Sequence, residues 1–216
     1  MGIYREHVLP RLVDRACGTA EMARWRQRVT AGLSGTVVEI GFGSGLNMPV
    51  YPPEVQLVYA VEPALTARRL AEERIAESHV RVEHVALRGE SIPLEDNSCD
   101  GALSTFTMCT IPDVGSALAE LRRVLRPGGR FHFLEHGLSP DPSVAGWQRR
   151  IDPLQKRLAD GCHLTRDAAQ LVRSAGFEIE HIESRYASGP KPWTWFTEGS
   201  ALNPERDGSR TSPGER

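Results

Sequence analysis

The chain has 216 residues, of which 40% are hydrophobic and 25% charged, with a formal net charge of -2. That length gives one domain with a full core, and the near-neutral balance excludes a global field that would recruit nucleic acid or an anionic membrane. Four cysteines, Cys17, Cys99, Cys109 and Cys162, stand far apart and form no C-x-x-C pair, so neither a disulfide scaffold nor a zinc site is expected, and a reducing cytoplasm is the expected location.

The N-terminal segment carries Arg5, Glu6, Arg11, Asp14 and Arg15 and has no apolar run long enough for a signal peptide or a membrane span. Residues Ile3 to Cys17 read as an amphipathic helix with Val8, Leu12 and Ala16 at four-residue spacing, and Pro10 kinks or breaks it. Glu21 to Ala31 reads as a second helix with Met22, Trp25 and Val29 on one face. These two helices either cover a ligand site or simply pack.

Thr36 to Ile40 is the first expected strand. It runs into Gly41-Phe42-Gly43-Ser44-Gly45, where residues without Cβ let the backbone bend and approach a ligand. A dinucleotide fingerprint requires glycine again at the sixth position, and Leu46 stands there. A short helical turn is expected within Asn47 to Pro53, then a second buried strand, Leu57 to Val61, ending at Glu62-Pro63. Ala64 to Glu77 is helical, Val80 to Leu87 a third strand, and Arg88 to Ser98 a loop. Asp100 to Ser104 is the fourth strand. Asp113 caps a helix marked by Val114, Ala117, Leu118, Leu121, Val124 and Leu125, which Arg126-Pro127-Gly128-Gly129 stops. Arg130 to Glu135 is the fifth strand. Alternation of strand and helix predicts an α/β fold with a parallel sheet and right-handed crossovers.

The rhythm then breaks. His136 to Leu164 reads as a long mixed segment, of the kind that forms lids or binding loops. A helix follows from Thr165, the expected N-cap, to Ala175, with Gly176 as C-cap. Phe177 to Tyr186 and Trp193 to Ala201 are the sixth and seventh strands, joined as a hairpin through Ser188 to Pro192. From Leu202 onward the polar chain is expected to be disordered.

Four pieces in order, Glu39-x-Gly41-x-Gly43-x-Gly45, Val61-Glu62-Pro63, Asn97-Ser98-Cys99-Asp100 and Leu125-Arg126-Pro127-Gly128-Gly129, resemble the Rossmann-like (class I) methyltransferases that use S-adenosylmethionine. The resemblance covers roughly Thr36 to Phe177. It implies a seven-stranded, mostly parallel sheet with helices on both faces, whose last strand runs antiparallel between the fifth and the sixth. It implies three parts: N-terminal helices over residues 1–35, a methyltransferase domain over 36–201 in which 136–164 forms part of the acceptor pocket, and a tail over 202–216.

The resemblance also implies roles. Gly41, Gly43 and Gly45 hold the methionine carboxylate, Glu39 faces the ammonium, Glu62 accepts the ribose hydroxyls, and Thr105 belongs to the same cofactor set. Many relatives hold the adenine amino group with an acid after the third strand. Here Arg88 occupies that place and Glu90 lies two residues later, so backbone around Arg88 and Gly89 takes the adenine. A narrower likeness lies in Phe133-Leu134-Glu135-His136, Thr107-Met108-Cys109 and Asp160-Gly161-Cys162-His163-Leu164-Thr165-Arg166. These look like the small-molecule methyltransferases that include thiol methyltransferases and bacterial phospholipid or quinone enzymes.

Methyl transfer from a sulfonium is an in-line displacement, so alignment of donor and acceptor carries much of the catalysis. The acceptor is expected to be a small, partly hydrophobic thiol, phenol or lipid-like amine, bounded by Phe106, Met108 and Trp147. His136 is the expected base and His163 the next candidate, the alternatives being a histidine that only hydrogen-bonds its neighbours and a structural member of the 161–166 turn. As isolated cysteines, Cys109 and Cys162 read as packed or incidental residues, the alternatives being soft pocket walls or ligands of a metalloid such as arsenite; no metal cofactor is expected. No nucleic-acid partner and no stable membrane insertion are expected. The competing readings are a cofactor-binding protein without catalysis and a nucleic-acid methyltransferase. The second should show an Asn/Asp-Pro-Pro-aromatic run where this chain has Thr105-Phe106-Thr107-Met108.

Overall fold

The computed structural model describes residues 4–86 and 89–205. Its centre is a seven-stranded sheet of β1 (Gly35–Ile40), β2 (Val55–Val61), β3 (Arg81–Ala86), β4 (Cys99–Thr105), β5 (Leu125–His136), β6 (Glu178–Tyr186) and β7 (Trp195–Leu202). The strand order is β3-β2-β1-β4-β5-β7-β6. The first five strands pair in parallel, and β7 runs antiparallel to both β5 and β6. The order reverses between β1 and β4, and the crevice beyond the carboxyl ends of strands at such a point is where ligands bind in open α/β sheets.

The helices are α1 (Leu9–Cys17), α2 (Ala20–Thr30), α3 (Leu65–Ala76), α4 (Val114–Val124), α5 (Pro142–Leu158), α6 (Ala168–Ser174) and the short α7 (Lys191–Thr194). Adjacent residues of each strand feed opposite faces. Val38, Ile40, Phe131 and Phe133 pack with Leu118, Leu121 and Val172 of α4 and α6. Val37, Leu103 and Leu134 pack with Trp25 and Val29 of α2 and Ala71 of α3 on the other side. A sheet covered on both faces explains the apolar runs within β1 and β2 and the nearly continuous burial of β4.

The two N-terminal helices are held differently. In α2, Trp25 packs edge-on against Phe196 of β7, and Arg28 bonds the buried Glu198 at 2.8 Å. In α1 no residue is buried, and Leu12 and Val13 are exposed. It is fixed by polar contacts: Asp14 accepts from Ser44 Oγ at 2.6 Å and pairs with Arg74 of α3 at 2.8 Å. Pro10 sits at the start of α1, where a missing N–H costs nothing, after a π-helical turn over Tyr4–Val8. The pattern read from Ile3 is thus interrupted rather than continuous.

Three further expectations change. The stretch 136–164 is mostly helix, with Asp141 capping α5 through Ser143 N. The helix after it starts later than Thr165, because Asp167, not Thr165, accepts the N–H of Gln170. Leu202 belongs to β7, and Asn203 is buried: its side chain donates to Leu125 O at 2.7 Å and its backbone pairs with Gly128 and Gly129. The folded domain therefore reaches past the expected boundary, while residues 206–216 of the expected tail lie outside the described residues. Among the described residues no helix is long and apolar enough to cross a membrane.

Candidate functional site

The first corner is built where β1 ends. Gly41, Gly43 and Gly45 all have positive φ, at 70°, 58° and 74°, a conformation that L side chains disfavour. At Gly41 a Cβ would lie 1.9 Å from Thr107 Oγ1, so the turn is pressed against the loop after β4. At Gly43 a Cβ would meet nothing nearer than the Gly41 carbonyl at 3.8 Å, which leaves open space above the turn. Glu62, ending β2, closes the other side. Its Oε2 accepts Gly43 N at 2.9 Å and its Oε1 accepts Ala64 N at 2.7 Å. Burial raises its carboxyl above the usual range, and these two N–H groups offset part of that rise.

Glu39 lies behind the turn and is 1% exposed. Asn47 Nδ2 donates to one of its oxygens and the Tyr51 hydroxyl to the other, each at 2.5 Å. Burial pushes the Glu39 carboxyl up to about 7, although both hydrogen bonds and the charge of Arg26 pull the other way. Arg26 comes from α2 and is itself buried. Its Nη1 donates to Asn47 Oδ1 at 2.9 Å and to Thr105 Oγ1 at 2.8 Å. Asn47 completes the ring by donating to Thr105 at 3.0 Å. The N-terminal helices thus contribute to the site rather than only packing beside it.

The second corner lies beyond β4 and β5. Phe106 has φ 53°, a sparsely populated conformation for a bulky residue, and its ring packs edge-on against Phe196. The turn after it is held by Glu135: its Oε1 accepts Ser104 Oγ, Thr107 N and Met108 N at 2.9–3.0 Å. From the far side Arg166 donates to the carbonyls of Met108 and Ile111. His136, the last residue of β5, brings Nε2 to 3.0 Å from Cys162 Sγ, and Cys162 Sγ lies 3.7 Å from Cys109 Sγ. The hydrogen bond with Cys109 and, after it, the His136 ring hold the Cys162 thiol below its usual range despite burial. Burial pushes the His136 imidazolium down, but the bond to Cys162 and the surrounding negative charge outweigh it and leave the ring above its usual value.

Several expected site residues lie close together: Glu39, Gly41, Gly43, Gly45, Glu62 and Thr105 gather around the β1–β4 crevice, with Glu39 turned onto Asn47 and Tyr51. Gly89 is buried near Ile40 and Ala117, and Glu90 is half-buried beside it. Arg88, expected at the adenine, lies outside the described residues. Phe106 borders the crevice, with Arg26 over its ring at 5.5 Å.

Others change. Met108 is 1% exposed and sits in the core with Val114, Leu118 and Phe133, so it is a core residue and not a pocket wall. Trp147 is 58% exposed, because α5 packs through Val144, Ala145, Gln148 and Asp152 instead. His163 acts through its backbone, donating to Cys109 O at 2.9 Å, and burial lowers its ring. Cys109 and Cys162, distant in the chain, are neighbours in the fold. Arg26, Asn47, Tyr51 and Glu135 were not expected. Of these, only Glu135 carried a signal, as an acid directly after the apolar Phe133-Leu134 at a strand end.

S-adenosylmethionine fits this crevice on three observations. Arg26 Nε is buried with no partner among the described residues, a donor suited to a carboxylate. Space is open above Gly43. Each Glu62 oxygen accepts one N–H and keeps a lone pair for a hydroxyl.

Comparison with known proteins agrees. The family described as "Methyltransferase domain" matches residues 38–133. The chain is 34% identical over 168 residues to the rat thiol S-methyltransferase TMT1B, covering 76% of this chain and 67% of that protein. It is 34% identical over 174 residues to the human TMT1B, covering 78% and 69%. A ubiquinone/menaquinone biosynthesis C-methyltransferase of Syntrophotalea carbinolica is 28% identical over 153 residues, covering 67% and 64%. Among solved structures, a Thermotoga maritima methyltransferase described as a possible histamine N-methyltransferase superposes with a TM-score of 0.66 at 20% identity, covering 92% of this chain and 99% of that one. A geranyl diphosphate methyltransferase in complex with S-adenosylmethionine gives 0.62 at 14% identity, covering 84% of each. The glycine turn, the buried acids and the 3-2-1-4-5-7-6 sheet are therefore those of an S-adenosylmethionine-dependent enzyme, and the chain belongs to the class I methyltransferases, in the small-molecule group that includes the thiol S-methyltransferases.

Proposed function

We propose that the chain methylates the sulfur of a small, partly hydrophobic thiol. The observation that carries this reading is the 34% identity to thiol S-methyltransferases over three quarters of the chain. The cofactor, when bound, supplies an electrophilic methyl on a sulfonium. The chain's own residues do the rest. The Gly41–Gly45 turn and Arg26 hold the methionine end, and Glu62 takes the ribose hydroxyls. Glu39 positions Asn47 and Tyr51, which border that end, instead of meeting the ammonium through an open carboxylate. Phe106 and the loop after β4 bound the acceptor and set the line of attack.

A thiol suits this site because it ionises more readily than a phenol or an alcohol, with a pKa of roughly 8.5, and alignment with the cofactor's methyl then supplies much of the rate. The near-neutral net charge and the absence of an Asn/Asp-Pro-Pro-aromatic run after β4 favour a small acceptor over nucleic acid.

The test is turnover with a panel of alkyl and aryl thiols, phenols, amines and quinols, read as S-adenosylhomocysteine formed. Thiols should be methylated and the others should lag by tenfold or more. A chain that methylates quinols or phenols and leaves every thiol unchanged would overturn the reading.

A further inference from the structure

The sulfurs and ring at the second corner form a set that the cofactor crevice does not use. Cys109 Sγ, His136 Nε2 and Cys162 Sγ all lie within 4.8 Å of one another. Both cysteines are buried, and His136 is half-buried. Three separate segments deliver them. Cys109 follows β4, in a turn closed by Thr110 N on Thr107 O at 2.8 Å. His136 ends β5, and the next residue, Gly137, donates to Trp195 O at 3.1 Å. Cys162 follows α5 in a turn whose Asp160 and Gly161 have φ of 48° and 87°. The His163 N–H on Cys109 O at 2.9 Å ties the two cysteine segments directly. Leu164 N on Asp152 at 2.7 Å fixes the second turn to α5. The donors are thus held by backbone geometry before any ligand arrives.

Two thiolates and one imidazole are the soft and borderline donors that zinc prefers. With Zn–S of about 2.3 Å, a tetrahedral ion holds its two sulfurs about 3.8 Å apart. The Cys109 and Cys162 sulfurs stand 3.7 Å apart. With Zn–N of about 2.0–2.1 Å, the ring nitrogen and a sulfur should lie about 3.5 Å apart. His136 Nε2 is 3.0 Å from Cys162 Sγ, so the ring withdraws by about half an ångström. Among the described residues no fourth His, Cys, Asp or Glu joins this set. Three protein ligands with one position free are the arrangement of a catalytic zinc, whereas structural zinc sites close with four.

We propose that Cys109, His136 and Cys162 bind one zinc ion whose fourth position takes the acceptor's sulfur. This rests on the thiol reading above and deepens it. All three ligands lie at the same carboxyl edge of the sheet as Thr105, which holds the cofactor corner together. The acceptor thiol gives its proton to solvent as its sulfur binds the metal. That sulfur then attacks the methyl carbon. The new S–CH3 bond forms as the bond from methyl to the cofactor's sulfonium breaks, and the electron pair stays on the departing S-adenosylhomocysteine sulfur. The neutral thioether product is a weak zinc ligand and leaves, returning the site to three ligands.

The test uses the full chain, stripped with a chelator under reducing conditions and titrated with Co2+ and Zn2+. One equivalent of Co2+ should bind and give the near-ultraviolet thiolate-to-cobalt band, and Zn2+ should bleach it. Cys109→Ser and Cys162→Ser should each weaken the band at least tenfold in apparent affinity. Calorimetry with S-adenosylhomocysteine confirms in parallel that each variant is folded. A thiol acceptor should perturb the cobalt band, and removal of metal should lower kcat toward thiols at least tenfold. No cobalt band, or a band unchanged in Cys162→Ser, would overturn the site. So would a Cys109–Cys162 disulfide formed under mild oxidation in a chain that takes up no metal. Full thiol turnover by the metal-free chain would overturn the role in acceptor binding. Because the cobalt band needs no acceptor, a chain that binds cobalt and methylates no thiol would retain the metal site while refuting the thiol reading, which keeps the two failures apart.

Discussion

The two corners at the carboxyl edge of the sheet are assembled differently. At the β1 corner Glu39, the three glycines, Asn47 and Glu62 all belong to one strand–turn–strand unit, and only Arg26 and Thr105 arrive from outside it. At the β4–β5 corner the reactive groups come from three segments: Cys162 bonds His136 across 26 residues and meets Cys109 across 53. A local corner is specified by backbone geometry, chiefly positive φ and close approach. A long-range corner is specified by how surrounding elements dock, here through Glu135, Arg166 and the His163 amide. The first should be intolerant of added atoms wherever the turn is in close contact, as at Gly41. The second should tolerate change at its rim and fail when its supports go.

The sharpest break is Gly41→Ala. The new Cβ meets Thr107 at 1.9 Å in a backbone with φ 70°, so both corners are disturbed at once. Unfolding stability should fall by more than about 3 kcal/mol and S-adenosylhomocysteine binding should vanish in calorimetry. Gly43→Ala, with open space but φ 58°, should cost only about 1–2 kcal/mol. Equal effects at the two glycines would mean the close approach to the second corner has no part in specifying the turn.

Met108→Ala separates core from pocket. With its side chain fully buried against α4, the variant should lose about 2–5 kcal/mol in denaturant titration. The KM for the acceptor should stay within about twofold, since core packing does not touch it. A raised KM at unchanged stability would return Met108 to the pocket wall.

Glu39→Gln probes the first corner by pH. Burial raises the native carboxyl from 4.5 to about 7. The proton it retains stabilises the fold fully below pH 4.5, and that contribution is lost as pH rises through about 7. Across this window the parent should lose roughly 3 kcal/mol relative to the variant, whose amide does not ionise. Thermal unfolding curves from pH 4.5 to 7.5 measure it. A stability difference that does not change with pH would mean the carboxylate is charged throughout.

Glu62→Ala acts on binding rather than on the fold. It removes the acceptor for two backbone N–H groups and for the ribose, so S-adenosylhomocysteine affinity should fall by roughly 1–3 kcal/mol. Unchanged affinity would move the ribose elsewhere.

The same contrast explains what was legible in the chain. β1 and β2 read directly, because burial on two faces leaves near-continuous apolar runs. The glycine turn read directly, because positive φ selects its residue type. The helix α5 did not, since half of its buried face is polar. Gln148 accepts Ser139 N at 2.9 Å and donates to the carbonyls of Gly137 and Pro192. Asp152 accepts Leu164 N. A helix that docks by hydrogen bonds shows no apolar stripe, and Pro153 within it reads as a break. Met108 misled for the opposite reason: an apolar residue just beyond a strand end looks like a pocket wall, and only packing under α4 shows that it is core. The Cys109–Cys162 contact was not legible because the two residues lie 53 apart in the chain, while β4, β5 and the turn after α5 meet in space.

The place of β7 has a consequence for how the molecule is made. Among the described residues it is the last strand in chain order, yet it lies between β5 and β6. Until Trp195–Leu202 emerges, the outer edge of β5 from Arg130 to His136 has no partner. A nascent chain in that state carries a bare strand edge, the kind that templates pairing between molecules. Asn203 then locks the finished strand to the Gly128–Gly129 turn. A message truncated before Trp195 would therefore yield an aggregate rather than a smaller working enzyme, and the final strand sets the moment at which the newborn protein becomes safe to release.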